Sequence, residues 1–181
     1  MIHNLWHELR AGPQVPDLVY AIVEIPKGSR NKYEYNKQDG LIKLDRVLYS
    51  SLHYPGDYGL IPHTFCDDGD PLDILVMINE PTFPSCIIEA RPIGVFRMLD
   101  RDETDDKILA VPATDPLFND YGDISDIPQH FLREVAHFFE VYKDLEGART
   151  KPGTWEGAEA AKAEIQKSIA LYEARFGLPG L

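Results

Sequence analysis

Four carboxylates fall within the seven residues 67–73, directly before the apolar run Ile74–Ile78. A fold that buries this run as a strand has to leave the acids at the end of the strand. Because like charges a few ångström apart repel, such a cluster either shares protons or binds a cation. Donors that are all oxygen favour a hard cation such as magnesium, manganese or calcium over zinc or copper. The alternative is a solvated acidic turn, since Asp-Gly and Asp-Pro both form turns.

A second acidic segment, residues 100–106, carries five more acids and precedes the apolar run Ile108–Val111. The two segments together hold nine of the 30 acidic residues, where random scatter would place about two. Both lie at the ends of predicted strands, so a closed sheet can bring them together. A metal site is therefore favoured over a solvated turn.

The composition limits the class of protein. At 181 residues and 44% hydrophobic content we expect a single domain over residues 1–181. The lack of a long apolar run and of a signal-peptide pattern predicts a soluble, cytoplasmic protein in which Cys66 and Cys86 are reduced and buried. The net charge of −12 argues against a nucleic-acid or anionic-membrane partner. A small phosphate ligand remains compatible with it, because bound divalent ions invert the local field.

Alternating hydrophobicity predicts a series of short strands. They cover residues 18–25, 32–35, 41–48, 72–78, 87–98 and 107–111, and the first three are expected to form an antiparallel meander. The segment 54–62, rich in glycine, proline and aromatic residues, is predicted to be a loop. Residues 1–17 are expected to form an irregular lead-in that packs through Leu5, Trp6 and Leu9.

Helical spacing appears only in the C-terminal part of the chain. Phe131, Val135, Phe138 and Tyr142 follow a helical period, with Asp126 as the expected cap, and a second stripe runs from Ala158 to Phe176. Short strands followed by two helices indicate the α+β class. Closing the strands into a barrel would remove their edges, and an open sheet is the alternative.

Groups that bind phosphoryl oxygens occur near predicted loops and strand ends. The sequence has no phosphate-binding glycine loop, no His-Glu-x-x-His and no Gly-x-Ser-x-Gly. Two metal ions that share a water lower its pKa and assist displacement at phosphorus, and cations then neutralise the leaving phosphate. The candidates for those cationic and hydroxyl groups are Lys32, Arg46, Lys107, Lys143, Tyr54, Tyr58 and Tyr142.

Some of these residues also have a purely structural interpretation. Glu24 and Glu34 can be the solvated faces of strands. Arg46 can pair with Asp45 or with a neighbouring strand, and Lys143 can be the cation that is common at a helix C-terminus.

The segment Asp68-Gly69-Asp70-Pro71-Leu72-Asp73 resembles the D-x-D-P-x-D motif of the family I soluble inorganic pyrophosphatases. Further matches follow in order and spacing at residues 24–34, 46, 54–59, 100, 105, 107 and 137–145. The resemblance implies a five-stranded closed β-barrel of OB type with two main helices outside it. It also implies hydrolysis of pyrophosphate with Mg²⁺, for which Mn²⁺ is a possible substitute. The length resembles the short bacterial and archaeal branch, which implies a homo-oligomer, commonly a hexamer.

The same resemblance implies a role for each matching residue. Asp68, Asp73 and Asp105 would bind the activating ions, Asp100 would help a further ion carried by the substrate, and Asp70 would accept the proton of the attacking water. The residues that would contact pyrophosphate are Lys32, Arg46, Tyr58 and Tyr142, supported by Lys107 and Lys143. Glu24 and Glu34 would orient metal-bound waters or cations, and Tyr54 would support the site.

The sequence departs from the family pattern at two places. Arg101 stands where relatives often carry a second acid, so the outer metal site is either altered or served by Asp102. Ala148-Arg149 stands where relatives usually place a lysine. Two other functions remain as alternatives: a non-catalytic OB barrel that binds cations or oligonucleotides, and a broader phosphohydrolase that acts on nucleotides or organic phosphates.

Overall fold

A computed structural model describes residues 4–148 and 150–177, apart from the side chain of Pro152. Within these residues the chain forms three α-helices, which are α1 (Leu5–Glu8), α2 (Gln129–Val141) and α3 (Ala158–Phe176). The strands are β1 (Val19–Ile25), β2 (Asn31–Asn36), β3 (Leu41–Val47), β4 (Asp57–Leu60), β5 (Asp73–Val76), β6 (Ile87–Asp100), β7 (Glu103–Thr104), β8 (Lys107–Pro112) and β9 (Thr150–Gly157).

Five strands of the larger, seven-stranded sheet form a ring of hydrogen-bonded pairs. Going round the ring, β1 pairs with β4, β4 with β5, β5 with β8, β8 with β6, and β6 with β1 again. The β5–β8 pair is parallel and the other four pairs are antiparallel. Strand β6 can close the ring because it is 14 residues long and shifts register between Pro92 and Gly94. Outside the ring, β6 also pairs with β7 and with β9.

The predicted meander of the first three strands is wrong for β1. Strands β2 and β3 pair only with each other among the described residues, as a separate two-stranded sheet. Strand β1 instead pairs with β4 and β6, and its residues Val19, Ile22 and Ile25 are fully buried. The apolar content of β1 thus selects the core sheet, whereas the polar β2–β3 hairpin packs beside it.

The prediction of a loop over residues 54–62 is also wrong in its centre. Residues 57–60 form the buried strand β4. A Cβ atom at Gly59 would lie 1.9 Å from the backbone oxygen of Ile22 on the paired strand. Gly59 is therefore needed where two backbones approach closely. In the sequence alone, a glycine in this role cannot be distinguished from a glycine in a loop.

The two long predicted helices are confirmed as α2 and α3. Asp126 does not cap α2, which begins after Pro128 without a side-chain cap; the Asp126 carboxylate belongs to the preceding 3-10 turn at Ile124–Asp126. In the lead-in, residues 5–8 form the short helix α1, whereas residues 9–17 are irregular as expected apart from an isolated bridge at Gln14. Trp6 packs as predicted, with 4% of its surface exposed.

The helices cover the two faces of the ring strands. Ile74 and Val76 of β5 lie in one apolar cluster with Ile165 of α3. Leu75, between them, lies in a second cluster with Phe138 of α2. Burial on both faces explains the continuous apolar runs of β5 and β8 and leaves polar groups only at the strand ends. In the described part of the chain, no helix has the length and hydropathy needed to cross a bilayer.

Candidate active site

A cavity of about 500 Å³ is lined by the first residues of β5 and β8 and by both acidic segments. Most of the residues predicted for the site line this cavity. They are Glu24, Lys32, Glu34, Tyr58, Asp68, Asp70, Asp73, Asp100, Asp105, Lys107, Tyr142 and Lys143. The two acidic segments are far apart in the chain and meet because β5 and β8 are adjacent parallel strands.

The centre of the site is an ion-pair group around Lys107. Asp73 and Lys107 are direct partners in the β5–β8 register, and the Lys107 ammonium lies 2.5 Å from Asp73 Oδ2. The same ammonium donates to Asp105, and the Tyr58 hydroxyl donates to Asp73. The side chain of Lys107 is only 4% exposed, so its charge is balanced by carboxylates in place of water.

The pKa values at this centre follow from burial and charge. Burial raises the pKa of Asp73, and Lys107 partly offsets that effect. Burial by itself lowers the pKa of Lys107, but Asp73 and Asp105 raise it well above its ordinary value. Burial also raises the pKa of Tyr58 well above the usual range. At neutral pH the ammonium and the phenol therefore both keep their protons and act as donors.

Glu24 is a second carboxylate whose charge is disfavoured. Burial, followed by the charge of Asp73, raises the pKa of Glu24 to about 8. The backbone N–H of Tyr35 donates to Glu24 Oε1 at 2.6 Å and opposes this shift. At neutral pH this group is thus largely protonated unless a cation binds beside it.

The first acidic segment forms a tight turn that presents its side chains to the cavity. Gly69 has a φ of +88°, which a side chain would disfavour, and the backbone N–H of Asp70 donates to Asp68 Oδ1 at 3.0 Å. The N–H of Cys66 donates to the Asp70 carbonyl at 2.8 Å and closes the turn. Burial raises the pKa of Asp68. The Asp70 side chain is 56% exposed, and its carboxylate forms an ion pair with Lys37.

Asp100, the first residue of the second acidic segment, lines the cavity. One of its oxygens, Oδ2, accepts from Lys143 at 2.6 Å. The other, Oδ1, is buried and is the one such side-chain atom without a hydrogen-bond partner in the described residues. A buried carboxylate oxygen without a donor is unfavourable, and a bound cation would satisfy it.

The donor set fits a hard divalent cation, although the acids do not converge on one point. Among the described residues, no three His, Cys, Asp or Glu side chains are grouped closely enough to hold a metal ion. Instead Lys107 lies between Asp73 and Asp105. The available donors are carboxylate oxygens, together with the unpaired Asp100 oxygen, and these are the groups that Mg²⁺ and Mn²⁺ prefer.

Two of the predicted residues lie outside the cavity lining. The Arg46 guanidinium lies 2.8 Å from Glu146 and also pairs with Asp45, which is the structural alternative expected from the sequence. Tyr54 is 2% exposed and packs in the core with its ring centroid 4.7 Å from that of Phe138.

Of the residues discussed at the departures from the family pattern, Arg101 lines the cavity and Asp102 does not. Arg101 lines the cavity, at a hairpin tip where its φ is +51°. Asp102 is not part of the lining and pairs with Lys151 at 2.5 Å. Arg149 lies outside the described residues. Cys66 and Cys86 are free thiols, as predicted, but they are only partly buried.

Several lining residues carried no clear signal in the sequence. They are Lys37, Glu164 and Lys167; Glu103 and Asp106 also line the cavity and belong to the second acidic segment, which the sequence did single out, but neither residue was assigned a role. Glu164 and Lys167 have the spacing of an ordinary helix-surface pair, and their side chains do bond at 2.9 Å. Glu164 also binds Arg97 at 2.6 Å, and Arg97 holds Asp106 at 2.5 Å, so this network connects α3 to the second acidic segment.

Comparison with known proteins points to one family. A family model described as "Inorganic pyrophosphatase" matches residues 21–173. The inorganic pyrophosphatase of Haloferax volcanii is 49% identical over 174 residues, which cover 96% of this chain and 98% of that protein. That of Geobacillus stearothermophilus is 55% identical over 155 residues, which cover 86% of this chain and 94% of the relative.

The fold agrees with these matches. The crystal structure of inorganic pyrophosphatase from Thermus thermophilus superposes with a TM-score of 0.91 at 42% identity, covering 94% of this chain and 99% of that one. Family and fold thus coincide over nearly the whole sequence, including both acidic segments. The chain belongs to the inorganic pyrophosphatase family of hydrolases.

Proposed function

We propose that the chain hydrolyses inorganic pyrophosphate to two orthophosphates with the help of Mg²⁺. The observation that supports this most is the meeting of two acidic segments with lysine and tyrosine side chains around one cavity, in a chain of this family. Carboxylates are suited to hold hard cations, and lysines and tyrosines are suited to hold phosphoryl oxygens. A non-catalytic barrel gains no support, because the matched relatives are pyrophosphatases and the match covers nearly their whole length.

Asp68, Asp73 and Asp105 are the proposed ligands of the activating ions, and Asp100 is proposed to bind an ion that arrives with the substrate. Bound divalent ions supply an acidified water and charge neutralisation at phosphorus. The Tyr58 hydroxyl orients Asp73 by donating to it. Lys107 keeps Asp73 and Asp105 close together in spite of their repulsion.

Asp70 is proposed to accept the proton of the attacking water. It lies on the turn that also carries Asp68, so the base and a metal ligand share one hydrogen-bonded turn. Lys32, Tyr142 and Lys143 line the cavity and are proposed to bind phosphate oxygens. Arg46 can join them only if it leaves Glu146. The departing phosphate would be stabilised by these cations.

Glu24 and Glu34 are proposed to orient cations or metal-bound water at the cavity wall. Glu34 forms an ion pair with Lys32, and Glu24 receives the Tyr35 N–H, so the β2 hairpin supplies a partner to both. We further propose that the ring of five strands is the closed OB-type barrel implied by the family resemblance. A homo-oligomer, commonly a hexamer, is likewise proposed on that resemblance, and a single domain and a cytoplasmic location are proposed from the composition and hydropathy of the sequence.

The decisive experiment measures phosphate release from pyrophosphate and from ATP during a Mg²⁺ titration. We expect Mg²⁺-dependent release that strongly favours pyrophosphate, because a broader phosphohydrolase would accept both. Asp70→Asn should abolish most of the release. Asp67→Asn changes an exposed acid that lines the same cavity but has no proposed role; it is the matched control and should remain active. Full turnover without metal, or in Asp70→Asn, would refute the proposal.

A further inference from the structure

Lys37 makes two contacts with the turn that carries Asp70. It follows the end of β2 at the tip of the β2–β3 hairpin. Its ammonium pairs with the Asp70 carboxylate and lies 3.3 Å from the carbonyl oxygen of Gly69. Both side chains are about half exposed, at 41% for Lys37 and 56% for Asp70. Exposed ion pairs of this kind contribute little to stability, so the contact has little value for folding.

Helix α1 holds Lys37 from the other side. The Lys37 ammonium lies 5.9 Å from the centre of the Trp6 ring, a cation–π distance. The side chain of Asn4, which caps α1, donates to the Lys37 carbonyl at 2.8 Å and accepts from the Tyr35 hydroxyl at 3.1 Å. The hairpin tip is therefore fixed to α1 at both backbone and side chain.

The same helix is anchored to the chain that leads into β5. The indole N–H of Trp6 donates to the Thr64 carbonyl at 2.9 Å, and the Thr64 hydroxyl accepts from the Leu72 N–H at 2.9 Å. Trp6 and Thr64 are both buried. Thus α1 has a fixed position relative to the residues that flank the acidic turn, and Lys37 connects α1 to its tip. Residues 4–8 lie outside the segment 21–173 that matches the family.

From this geometry we infer that Lys37 is a positioning residue for Asp70, and that α1 holds Lys37 in place. The inference rests on the proposed function, in which Asp70 receives a proton from water. A half-exposed carboxylate at the tip of a turn can adopt several rotamers. The Lys37 ammonium near the Trp6 ring, on a backbone that Asn4 holds at the Lys37 carbonyl, selects the rotamer that faces the cavity, and catalysis depends on that orientation.

The test compares Lys37→Met, Lys37→Arg and Lys43→Met in pyrophosphate hydrolysis at saturating Mg²⁺. Lys43 is an exposed lysine of the facing strand β3 and serves as the matched control. We expect Lys37→Met to lower kcat more than threefold with KM changed less than twofold, Lys37→Arg to restore at least half of the activity, and Lys43→Met to match the wild type. Unchanged melting temperatures show that the effect is not one of folding. A kcat loss below threefold, or a change in KM alone, overturns the inference.

A double-variant cycle separates positioning of Asp70 from other roles. If Lys37 acts through Asp70, Lys37→Met has no further effect on the residual rate of Asp70→Asn. Equal factors in both backgrounds overturn the inference. If the wild type shows no Mg²⁺-dependent hydrolysis of pyrophosphate, or Asp70→Asn is fully active, the proposed function fails and the inference fails with it. If the wild type does hydrolyse pyrophosphate with Mg²⁺ and Asp70→Asn is impaired, but Lys37→Met keeps the wild-type kcat, only the inference fails.

Fluorescence tests the connection to α1 without reference to activity. In a Trp155→Phe background, Trp6 is the only tryptophan of the chain. Removal of the ammonium near its ring by Lys37→Met should change the Trp6 emission, whereas Lys43→Met should not. Asn4→Ala should lower kcat in the wild type but not in Lys37→Met. Identical emission in the two lysine variants, or an independent effect of Asn4→Ala, overturns the role of α1.

Discussion

The ammonium of Lys107 lies 2.5 Å from Asp73 Oδ2, and the two residues are paired neighbours at the start of adjacent parallel strands. The backbone register thus places Lys107, which directly follows one acidic segment, beside Asp73 of the other. Since Asp105 binds the same ammonium, Lys107 holds together two carboxylates that would otherwise repel each other.

Replacing Lys107 by methionine should destabilise the metal-free protein by about 3 kcal/mol, because it leaves two partly buried carboxylates without a counter-charge. Added Mg²⁺ should recover part of this loss and stabilise the variant more than the wild type, since binding to the folded state alone raises stability. Urea unfolding in EDTA and in Mg²⁺ measures both effects. Equal stabilisation of the two proteins by Mg²⁺ would contradict the proposed metal site.

The pH dependence of stability should report on Glu24. Its pKa of about 8 in the folded protein lies above the value of about 4.3 expected for an unfolded chain. Between these values the folded state binds the proton that the unfolded state has lost. The free energy of unfolding should therefore fall as the pH rises from about 4 to about 8.

Glu24→Gln removes this titration and provides its test. Relative to the wild type, we expect the variant to gain about 2 kcal/mol between pH 5 and pH 9, a figure reduced to allow for the partial exposure of Glu24. Denaturant unfolding in EDTA across this range measures the difference. Parallel curves for the two proteins would show that Glu24 ionises normally.

Asp100 and Asp102 should differ in their effect on the Mg²⁺ requirement. Asp100 has a buried oxygen without a partner, whereas Asp102 pairs with Lys151 outside the cavity. Asp100→Asn should raise the Mg²⁺ concentration for half-maximal activity by about tenfold. Asp102→Asn should leave it within twofold. A larger effect of Asp102→Asn would show that Asp102 serves the outer ion, the alternative raised by Arg101.

Tyr58 and Tyr54 form a second matched pair. The Tyr58 hydroxyl donates to Asp73, while Tyr54 packs in the core outside the cavity lining. A hydrogen bond to a charged group contributes about 1.5–3 kcal/mol, so Tyr58→Phe should lower kcat by about tenfold. Tyr54→Phe should keep kcat within twofold. Steady-state kinetics on both variants settles whether Tyr54 belongs among the supporting residues.

Much of the site was predictable because it depends on local patterns. The acidic segments and the apolar runs behind them lie within a few residues of each other, and the motif at 68–73 has fixed spacing. The ring strands β1, β5, β6 and β8 and the two long helices were predicted for the same reason, since each shows its period within one short window, whereas β4 and β9 were not predicted. The family resemblance was confirmed over nearly the full chain.

Other features were missed because they depend on contacts between distant residues. The glycine that allows β4 to approach β1 has the same local signal as a loop glycine. Lys37 belongs to the site because a hairpin tip folds towards the acidic turn, which no periodicity indicates. Arg46 was predicted to contact the substrate, but its guanidinium donates to the carboxylate of Glu146, which is 100 residues away in the sequence.

The sequence by itself determined which residue types could do chemistry and that two acidic segments end at buried strands. Only the tertiary structure decided which charges meet: Lys107 with Asp73 and Asp105, Lys143 with Asp100, and Lys37 with Asp70. The physical reason is that hydrophobic patterning specifies elements and their buried faces, whereas electrostatic pairing is set by strand order and register. In this fold the parallel pairing of β5 with β8 is the step that converts two separate acidic segments into one site.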